Sequence, residues 1–263
     1  MDWHALDLYC KDLVKEAGQR IRNSFMTDIT VESKAHANDL VTNIDKEIEQ
    51  FFIARIRKDF PDHRIFGEEG FGDSIEELSG MIWMLDPIDG TMNFIHQKRN
   101  FAISLGVYED GIGKLGYIYD VVHGDLYNAI DGHGAYYNDE RLQPLPPTTL
   151  DESIIAMNAF WATPNRRVDH EGTIALIQRV RGVRSYGSAA LELAYVATRR
   201  VDAYISMRLN PWDIAGGLVI AKEVGAIAGN FKGEPANLLE QDTFVAANPA
   251  IHEEICSHYL KLK

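Results

Sequence analysis

The chain has 263 residues, 46% of them hydrophobic and 25% charged, which is an ordinary composition for a globular protein with a substantial core. Its formal net charge of −13 at pH 7, with no basic stripe to offset it, argues against a nucleic-acid-binding surface. No apolar run approaches the ~20 residues of a membrane-spanning helix, and two cysteines without an apolar leader segment are typical of a reducing cytoplasm.

Two amphipathic helices are predicted near the start of the chain. Apolar residues recur every three or four positions from Trp3 to Phe25, which predicts a helix lying on a core. Thr42 followed three residues later by Asp45 is a helix start of the capping-box type, and the apolar positions after it supply a buried face. On these grounds alone, Asp45 is a first-turn acid that the helix dipole favours.

The central stretch of the sequence is a continuous apolar run at 81–85, which predicts a strand buried on both faces. Because Pro87 cannot donate a hydrogen bond to a sheet, the strand is expected to stop at Asp86. Asp86 and Asp89 then lie close together, and two crowded carboxylates are costly unless a cation lies between them. Oxygen ligands favour a hard cation such as Mg²⁺, although a turn with two solvated acids explains the same pattern.

The segments on either side of this run predict further strands. A short strand at 64–66 leads into Glu68 between glycines; this is common in exposed turns, but its position one strand earlier makes Glu68 a candidate third metal ligand. Strands on both sides of Asp110 and another at 126–130 predict an antiparallel meander. Glycines in this turn match a dinucleotide fingerprint formally, and we reject the match because a strand rather than a helix follows.

Three prolines within residues 144–147 mark the expected boundary between two halves of a single domain, 1–147 and 148–263. The first half is predicted to be α+β with the antiparallel meander. In the second half strands and helices alternate, which predicts an α/β arrangement.

Two helix starts in the second half carry candidate site residues. Gly187, Ser188 and Ala189 open a helix directly after a strand, and either a small-residue turn or an anion site at the helix N-terminus explains them. Asp213 lies in the first turn of a helix that begins after Pro211, where a capping role would be sufficient.

Three segments, in this order, resemble the inositol monophosphatase family of Mg²⁺-dependent, lithium-sensitive phosphatases, and the resemblance covers nearly the whole chain. The segments are Gly67-Glu68-Glu69, Asp86-Pro87-Ile88-Asp89-Gly90-Thr91 and Trp212-Asp213-Ile214-Ala215-Gly216. The resemblance implies a layered αβαβα sugar-phosphatase sandwich, a phosphate monoester as substrate and a homodimer.

The resemblance also implies roles for individual residues. Two or three Mg²⁺ ions would be held by Glu68, Asp86, Asp89, Asp213 and the carbonyl of Ile88, and Li⁺ would inhibit. Thr91 would accept the proton of an attacking water together with Asp45, which ends a signature formed with Asp39 and Thr42, while Glu68 orients the water. The substrate-binding set would be Gly90, Thr91, Asp89, Gly187, Ser188, Ala189, Arg208 and Asp213.

The sequence departs from animal members of the family just before Trp212. They often have a glutamate there that holds ring hydroxyls, whereas residues 206–211 contain no acid. The expected substrate is therefore inositol monophosphate or a related sugar phosphate. Arg208 near the entrance would suit a second phosphate, as in fructose 1,6-bisphosphate, NADP or adenosine 3′,5′-bisphosphate, or it is a surface charge. A further alternative is a non-catalytic regulatory protein on the same fold.

Overall fold

The structure is a computed structural model that describes residues 1–33 and 40–263. Asp39, the first residue of the predicted signature, lies outside the described residues. The α-helices of the described part are α1 (Trp3–Ser24), α2 (Asn43–Asp59), α3 (Thr91–Gln97), α4 (His170–Arg179), α5 (Ala189–Ala197), α6 (Pro211–Glu223) and α7 (Pro249–His258). The strands are β1 (Val31–Ser33), β2 (Leu40–Thr42), β3 (Arg64–Gly67), β4 (Met81–Asp89), β5 (Ala102–Glu109), β6 (Ile112–Asp120), β7 (Asp125–Ile130), β8 (Gly134–Tyr137), β9 (Glu140–Arg141), β10 (Ile154–Met157), β11 (Gly182–Arg184), β12 (Ala203–Leu209), β13 (Ile227–Gly229) and β14 (Asp242–Ala247).

The strands form two large sheets and a small hairpin of β1 and β2. The seven-stranded sheet has the order β3-β4-β5-β6-β7-β8-β9; β3 runs parallel to β4 and the other neighbours are antiparallel, which confirms the meander. The five-stranded sheet has the order β11-β10-β12-β14-β13. It is parallel across β11, β10 and β12 and antiparallel at β14 and β13, so the alternation of strands and helices predicts only part of it.

Three apolar clusters join these sheets to the helices. Helices α1 and α2 pack on one face of the seven-stranded sheet, around the fully buried Phe52 and Trp83. Helices α5 and α6 fill the space between the two sheets, and α4 and α7 cover the outer face of the five-stranded sheet. This order of layers is αβαβα, which confirms the predicted fold class. The boundary at 144–147 lies between the two sheets, and the single domain with two halves stays a prediction.

Side chains cap the starts of the first two helices, and only the cap of α2 was predicted. The Asp2 carboxylate accepts hydrogen bonds from the N–H groups of His4 and Ala5 at the start of α1. At α2 the Thr42 hydroxyl accepts from the N–H of Asp45, and the Asp45 carboxylate accepts from the N–H of Thr42 at 2.8 Å, so the capping box is confirmed. In the described part of the chain no helix is both long and apolar enough to cross a lipid bilayer.

Strand β4 differs from its prediction at its carboxyl end. The prediction that it stops at Asp86 is wrong, because pairing with β5 resumes at Asp89 opposite Ala102. Three residues on β4 span the register that two span on β5, which is a β-bulge, and Pro87 lies inside it. A proline is tolerated there because a bulge leaves a backbone N–H without a ladder partner. The bulge holds both acids on a continuous, buried strand.

Candidate active site

Three acidic side chains converge at the carboxyl end of β4. Asp86 and Asp89 come from the bulge and the last residue of β4, and Asp213 from the first turn of α6. One carboxylate oxygen of each lies within 4.8 Å of the other two. Asp86 and Asp89 are only 2% and 7% exposed, so water screens their charges poorly. The predicted metal-ligating acids of these two segments are therefore brought together.

Helix α6 reaches the acids because it crosses the seven-stranded sheet at very short range. A Cβ added at Gly216 of α6 would lie 2.6 Å from the carbonyl oxygen of Tyr117 in β6, a distance that real Cβ atoms essentially never show. Hydrogen bonds hold the same crossing: Tyr108 Oη donates to the Ala215 carbonyl at 2.8 Å, and Ser104 Oγ donates to the Trp212 carbonyl at 3.2 Å. The Gly216 that follows the Trp-Asp motif is thus part of what places Asp213.

Burial and mutual repulsion shift the proton affinities of these acids. Burial, followed by the negative charges of Glu68, Asp89 and Asp213, raises the pKa of Asp86 well above its usual value. Burial also raises the pKa of Asp89 to about 6, although hydrogen bonds from Ser188 and Ala190 oppose the shift. A cation among these oxygens would offset both the burial of the carboxylates and their mutual repulsion. The donor set is all carboxylate oxygen, which fits a hard ion such as Mg²⁺.

Glu68 lies beside this cluster and makes a side-chain hydrogen bond with Asp86. It lines a cavity of about 280 Å³, called here the acid cavity, together with Asp86, Ile88 and Asp213, and its charge is among the causes of the raised Asp86 pKa. Glu49, a fully buried residue of α2, binds the loop that carries Glu68. Its carboxylate accepts hydrogen bonds from the N–H groups of Glu69 at 2.7 Å and Phe71 at 2.9 Å.

Sequence reasoning missed Glu49, and a signal for it was present. Glu49 follows Asp45 by four residues, which places both acids on the same face of α2. An acid on the buried face of a helix needs a hydrogen-bonding partner. The two loop N–H groups satisfy Glu49, and the position of the Glu68 loop follows from that pairing.

Thr91 and Asp45 meet on another side of the acid cavity. The Thr91 hydroxyl lies 3.1 Å from Asp45 Oδ1 and 3.1 Å from the carbonyl oxygen of Ile88. Asp45 is fully buried, and burial raises its pKa even though two hydrogen bonds from Thr42 act in the opposite direction. Asp45 therefore caps α2 and contacts Thr91 at the same time, which are the two roles that the sequence suggested for it.

A second cavity, of about 230 Å³, opens beside the acid cavity and shares Asp89, Asp213 and Arg208 with it. We call it the ring cavity. Its wall includes the predicted turn of Gly187, Ser188 and Ala189. Arg208 is exposed and lines both cavities, which agrees with its predicted position near the entrance of the site.

The turn at the ring cavity is tied directly to the acids. The Ser188 hydroxyl and the Ala190 N–H, the latter at 2.8 Å, both donate to Asp89 Oδ2. On the other side, Asn93 of α3 donates to the Tyr186 carbonyl at 2.7 Å. The N-terminus of α5 and the end of β4 are therefore one hydrogen-bonded unit. Two further residues of the ring cavity, Glu192 and Tyr204, were not predicted.

Comparisons with known proteins agree with this geometry. A model of the inositol monophosphatase family matches residues 4–262. The chain is 55% identical over 259 residues to the inositol-1-monophosphatase of Bacillus subtilis (strain 168), with 98% of each chain covered. Its fold is similar to that of inositol monophosphate-bound SaIMPase-II, with a TM-score of 0.87, 40% identity and coverage of 97% of this chain and 93% of that one. It is also similar to an IMPase/NADP phosphatase complexed with Mg²⁺ and phosphate, with a TM-score of 0.90, 30% identity and coverage of 98% and 95%.

Proposed function

The chain belongs to the inositol monophosphatase family, and on that premise we propose that it is a Mg²⁺-dependent phosphatase that hydrolyses inositol monophosphate by direct attack of water. It is a phosphoric monoester hydrolase by its kinship with a named inositol-1-monophosphatase. One observation carries the proposal: three carboxylates, two of them buried, converge within 4.8 Å beside a cavity large enough for a phosphate group. Such crowding is costly without a cation.

The acids would hold Mg²⁺ in two groups. Glu68, Asp86 and the Ile88 carbonyl would bind one ion, and Asp86, Asp89 and Asp213 another, with Asp86 shared. When bound, the ions would supply positive charge to the phosphate and leaving oxygens and lower the pKa of a water molecule. Two or three ions, and inhibition by Li⁺, are part of the proposal. The buried position and raised pKa of Asp86 support its place between the two groups.

Thr91 and Asp45 would remove the proton from the attacking water. If the Thr91 hydroxyl donates to Asp45 Oδ1, 3.1 Å away, its own lone pairs can accept a proton from water in the acid cavity. Asp45 suits the end of this relay because burial raises its pKa, and a more basic carboxylate accepts a proton more readily. Glu68, on the wall of the same cavity, would orient the water.

The substrate would lie across both cavities. Gly90 and Thr91 line the acid cavity, and their N–H groups would hold phosphate oxygens there. The rest of the substrate would extend into the ring cavity, past Asp89 and Asp213, along the turn of Gly187, Ser188 and Ala189. Arg208 at the shared rim would contact the substrate as it enters.

The experiment is phosphate release from inositol 1-phosphate in Mg²⁺, with EDTA and Li⁺ as inhibitors. The wild-type protein is expected to release phosphate only with Mg²⁺, and Asp213→Asn is expected to lose nearly all turnover because it removes a charge from the ion-binding group. A substitution of an exposed acid, Asp62→Asn, serves as the matched control. A folded wild-type protein that releases no phosphate with Mg²⁺ would refute the proposal.

The expected homodimer and the cytoplasmic location also belong to this proposal. Both cysteines, the buried Cys10 and the half-buried Cys256, are free thiols, as is usual in a reducing compartment. Light scattering on the purified protein would measure its mass against the 29.6 kDa of one chain. A mass of one chain at working concentration would remove the homodimer from the proposal.

A further inference from the structure

The ring cavity contains a carboxylate that is not one of the clustered acids. Glu192 lies in the first turn of α5, is 4% exposed and lines the cavity together with Tyr204 and Ser206. The other two acids of the cavity wall, Asp89 and Asp213, belong to the cluster. Glu192 is therefore the acid on this wall that the metal-binding proposal does not use.

Three hydrogen bonds hold the Glu192 carboxylate in place. Oε1 accepts hydrogen bonds from the N–H of Tyr186 at 2.6 Å and from the N–H of Gly187 at 3.3 Å. A side-chain hydrogen bond with Tyr204, on the same cavity wall, is the third contact. A carboxylate has about four acceptor sites, so it can accept a further hydrogen bond from a bound molecule.

The chemistry of the cavity wall suits a polyol. Ser206 and Tyr204 line it together with Glu192, so hydroxyl groups and a carboxylate face the same space. An ionised carboxylate only accepts hydrogen bonds, and it is costly to bury unless donors are present. Neighbouring hydroxyls on a ring are such donors. An alcohol without them would displace water from the carboxylate and leave its remaining acceptor capacity unused, which is a physical basis for discrimination between similar substrates.

We propose that Glu192 is a specificity-determining residue that accepts hydrogen bonds from the ring hydroxyls of the substrate, so that the enzyme favours polyol phosphates over phosphates of hydroxyl-poor alcohols. The proposal rests on the proposed phosphatase function, because it names the group that recognises the non-phosphate part of the same substrate. Glu192 takes no part in the chemical step. Its effect is on which alcohol is bound in position for that step.

The test compares two substrates that share a ring and differ in hydroxyls, inositol 1-phosphate and cyclohexyl phosphate, with Mg²⁺ at a pH well above 7. Glu192→Gln keeps an oxygen for the two turn N–H groups and replaces the other oxygen with an NH₂ donor. It is expected to lower kcat/KM for inositol 1-phosphate by about 10-fold or more, as for the loss of a hydrogen bond to a charged group, and to leave cyclohexyl phosphate nearly unchanged. Glu171→Gln, an exposed glutamate of α4, is the matched control.

Each result of this comparison either supports or overturns the role proposed for Glu192. A loss confined to inositol 1-phosphate supports the proposal, and the ratio of ratios across the two enzymes and two substrates measures the contact. Equal losses on both substrates would overturn it, since Glu192 would then act only through the turn and Asp89. No loss on either would overturn it as well. If Glu192→Gln fails to fold, as judged by circular dichroism, Glu192→Asp keeps the charge but withdraws it from the hydroxyls and is expected to show the same selective loss. A wild-type enzyme inactive on both substrates would instead refute the phosphatase function.

Discussion

Replacing Asp86 with asparagine should make the protein more stable without Mg²⁺ and inactive with it. Two unit charges 4.8 Å apart repel by about 3.5 kcal/mol at an effective dielectric constant of about 20, and Asp86 has two such neighbours in Asp89 and Asp213. The wild-type protein relieves part of this repulsion by keeping a proton on Asp86, whose pKa is raised. We therefore expect a net gain of about 2 kcal/mol in the Mg²⁺-free variant, which is smaller than the full Coulomb energy.

The gain should be visible as a rise in the melting temperature. For a chain of this size about 2 kcal/mol corresponds to about 4–8 °C. The asparagine oxygen can still accept the hydrogen bond that Asp86 Oδ1 receives from the N–H of Ile88 at 2.9 Å, and its NH₂ group can donate to a neighbouring carboxylate. The substitution therefore replaces repulsion with a hydrogen bond and leaves the β4 bulge intact.

Mg²⁺ should reverse the order of stability. An ion that binds only the folded state adds about 2.7 kcal/mol at one hundred times its dissociation constant. The wild-type protein should gain this, whereas Asp86→Asn has lost the acid shared between the two ion-binding groups and should gain little. Differential scanning calorimetry in EDTA and in MgCl₂, with phosphate release measured in parallel, tests both halves of the prediction. The exposed Asp62→Asn should change neither quantity.

Two results would refute this reasoning. If Asp86→Asn melts below the wild-type protein in EDTA, the carboxylates do not destabilise the empty cluster, and the electrostatic basis of the metal site is wrong. If the variant keeps both the Mg²⁺-induced rise in melting temperature and normal turnover, Asp86 is not a metal ligand. Either result can be read independently of the other.

Three further predictions concern pH, proton transfer and the support of Asp89. In the Mg²⁺-free protein the pKa of Asp89 is raised from 3.8 to about 6, so between these values the folded state binds a proton more tightly than the unfolded chain. The full shift of this group represents about 3 kcal/mol, and about 2 kcal/mol of it should be lost from the free energy of unfolding as the pH rises from about 4 to about 6. Urea unfolding in EDTA should show the fall, saturating Mg²⁺ should reduce it, and a flat profile in EDTA would contradict it. Thr91→Val should lower kcat about 100-fold or more while the Mg²⁺-induced rise in melting temperature persists, and Thr91→Ser should restore most of the rate; equal losses in both variants would exclude a role for the hydroxyl. Ser188→Ala removes a donor to Asp89 and should weaken Mg²⁺ binding about 10-fold in a calorimetric titration, and unchanged affinity would show that this hydrogen bond does not position the acid.

The sequence predicts the secondary structure well where short-range patterns determine it. The capping box at Thr42 and the apolar period from Trp3 place α1 and α2 to within a few residues. The turn at Asp110 and the apolar run before Asp86 likewise locate strands β4, β5 and β6 of the meander. The predicted end of β4 was wrong because Pro87 cannot donate a hydrogen bond within a regular sheet. The register with β5 contains a bulge, and a proline fits there.

The remaining features depend on contacts between distant segments. Glu49 and Glu192 are acids within helices, and their spacing does not identify their partners, which are N–H groups of loops that pack against those helices. Ser188 belongs to a predicted turn before a helix, and only the approach of α5 to β4 makes it a donor to Asp89. A pattern along one chain segment cannot predict which loop will lie beside it. The family resemblance therefore implied which acids form the site, and the fold shows how they are held.

The three clustered acids share one structural feature that bears on how the site works. Each uses one carboxylate oxygen to accept a hydrogen bond from a backbone N–H: Asp86 from Ile88, Asp89 from Ala190 and Asp213 from Asn210. Those N–H groups belong to the β4 bulge, the start of α5 and the cap of α6, so three separate elements each fix one acid. The orientation of the carboxylates is therefore set by folding, and a cation has little reorganisation to impose when it binds. Since the apolar layers around α5 and α6 hold these elements together, the packing between the two sheets opposes the repulsion among the acids, and the site is preorganised by the fold.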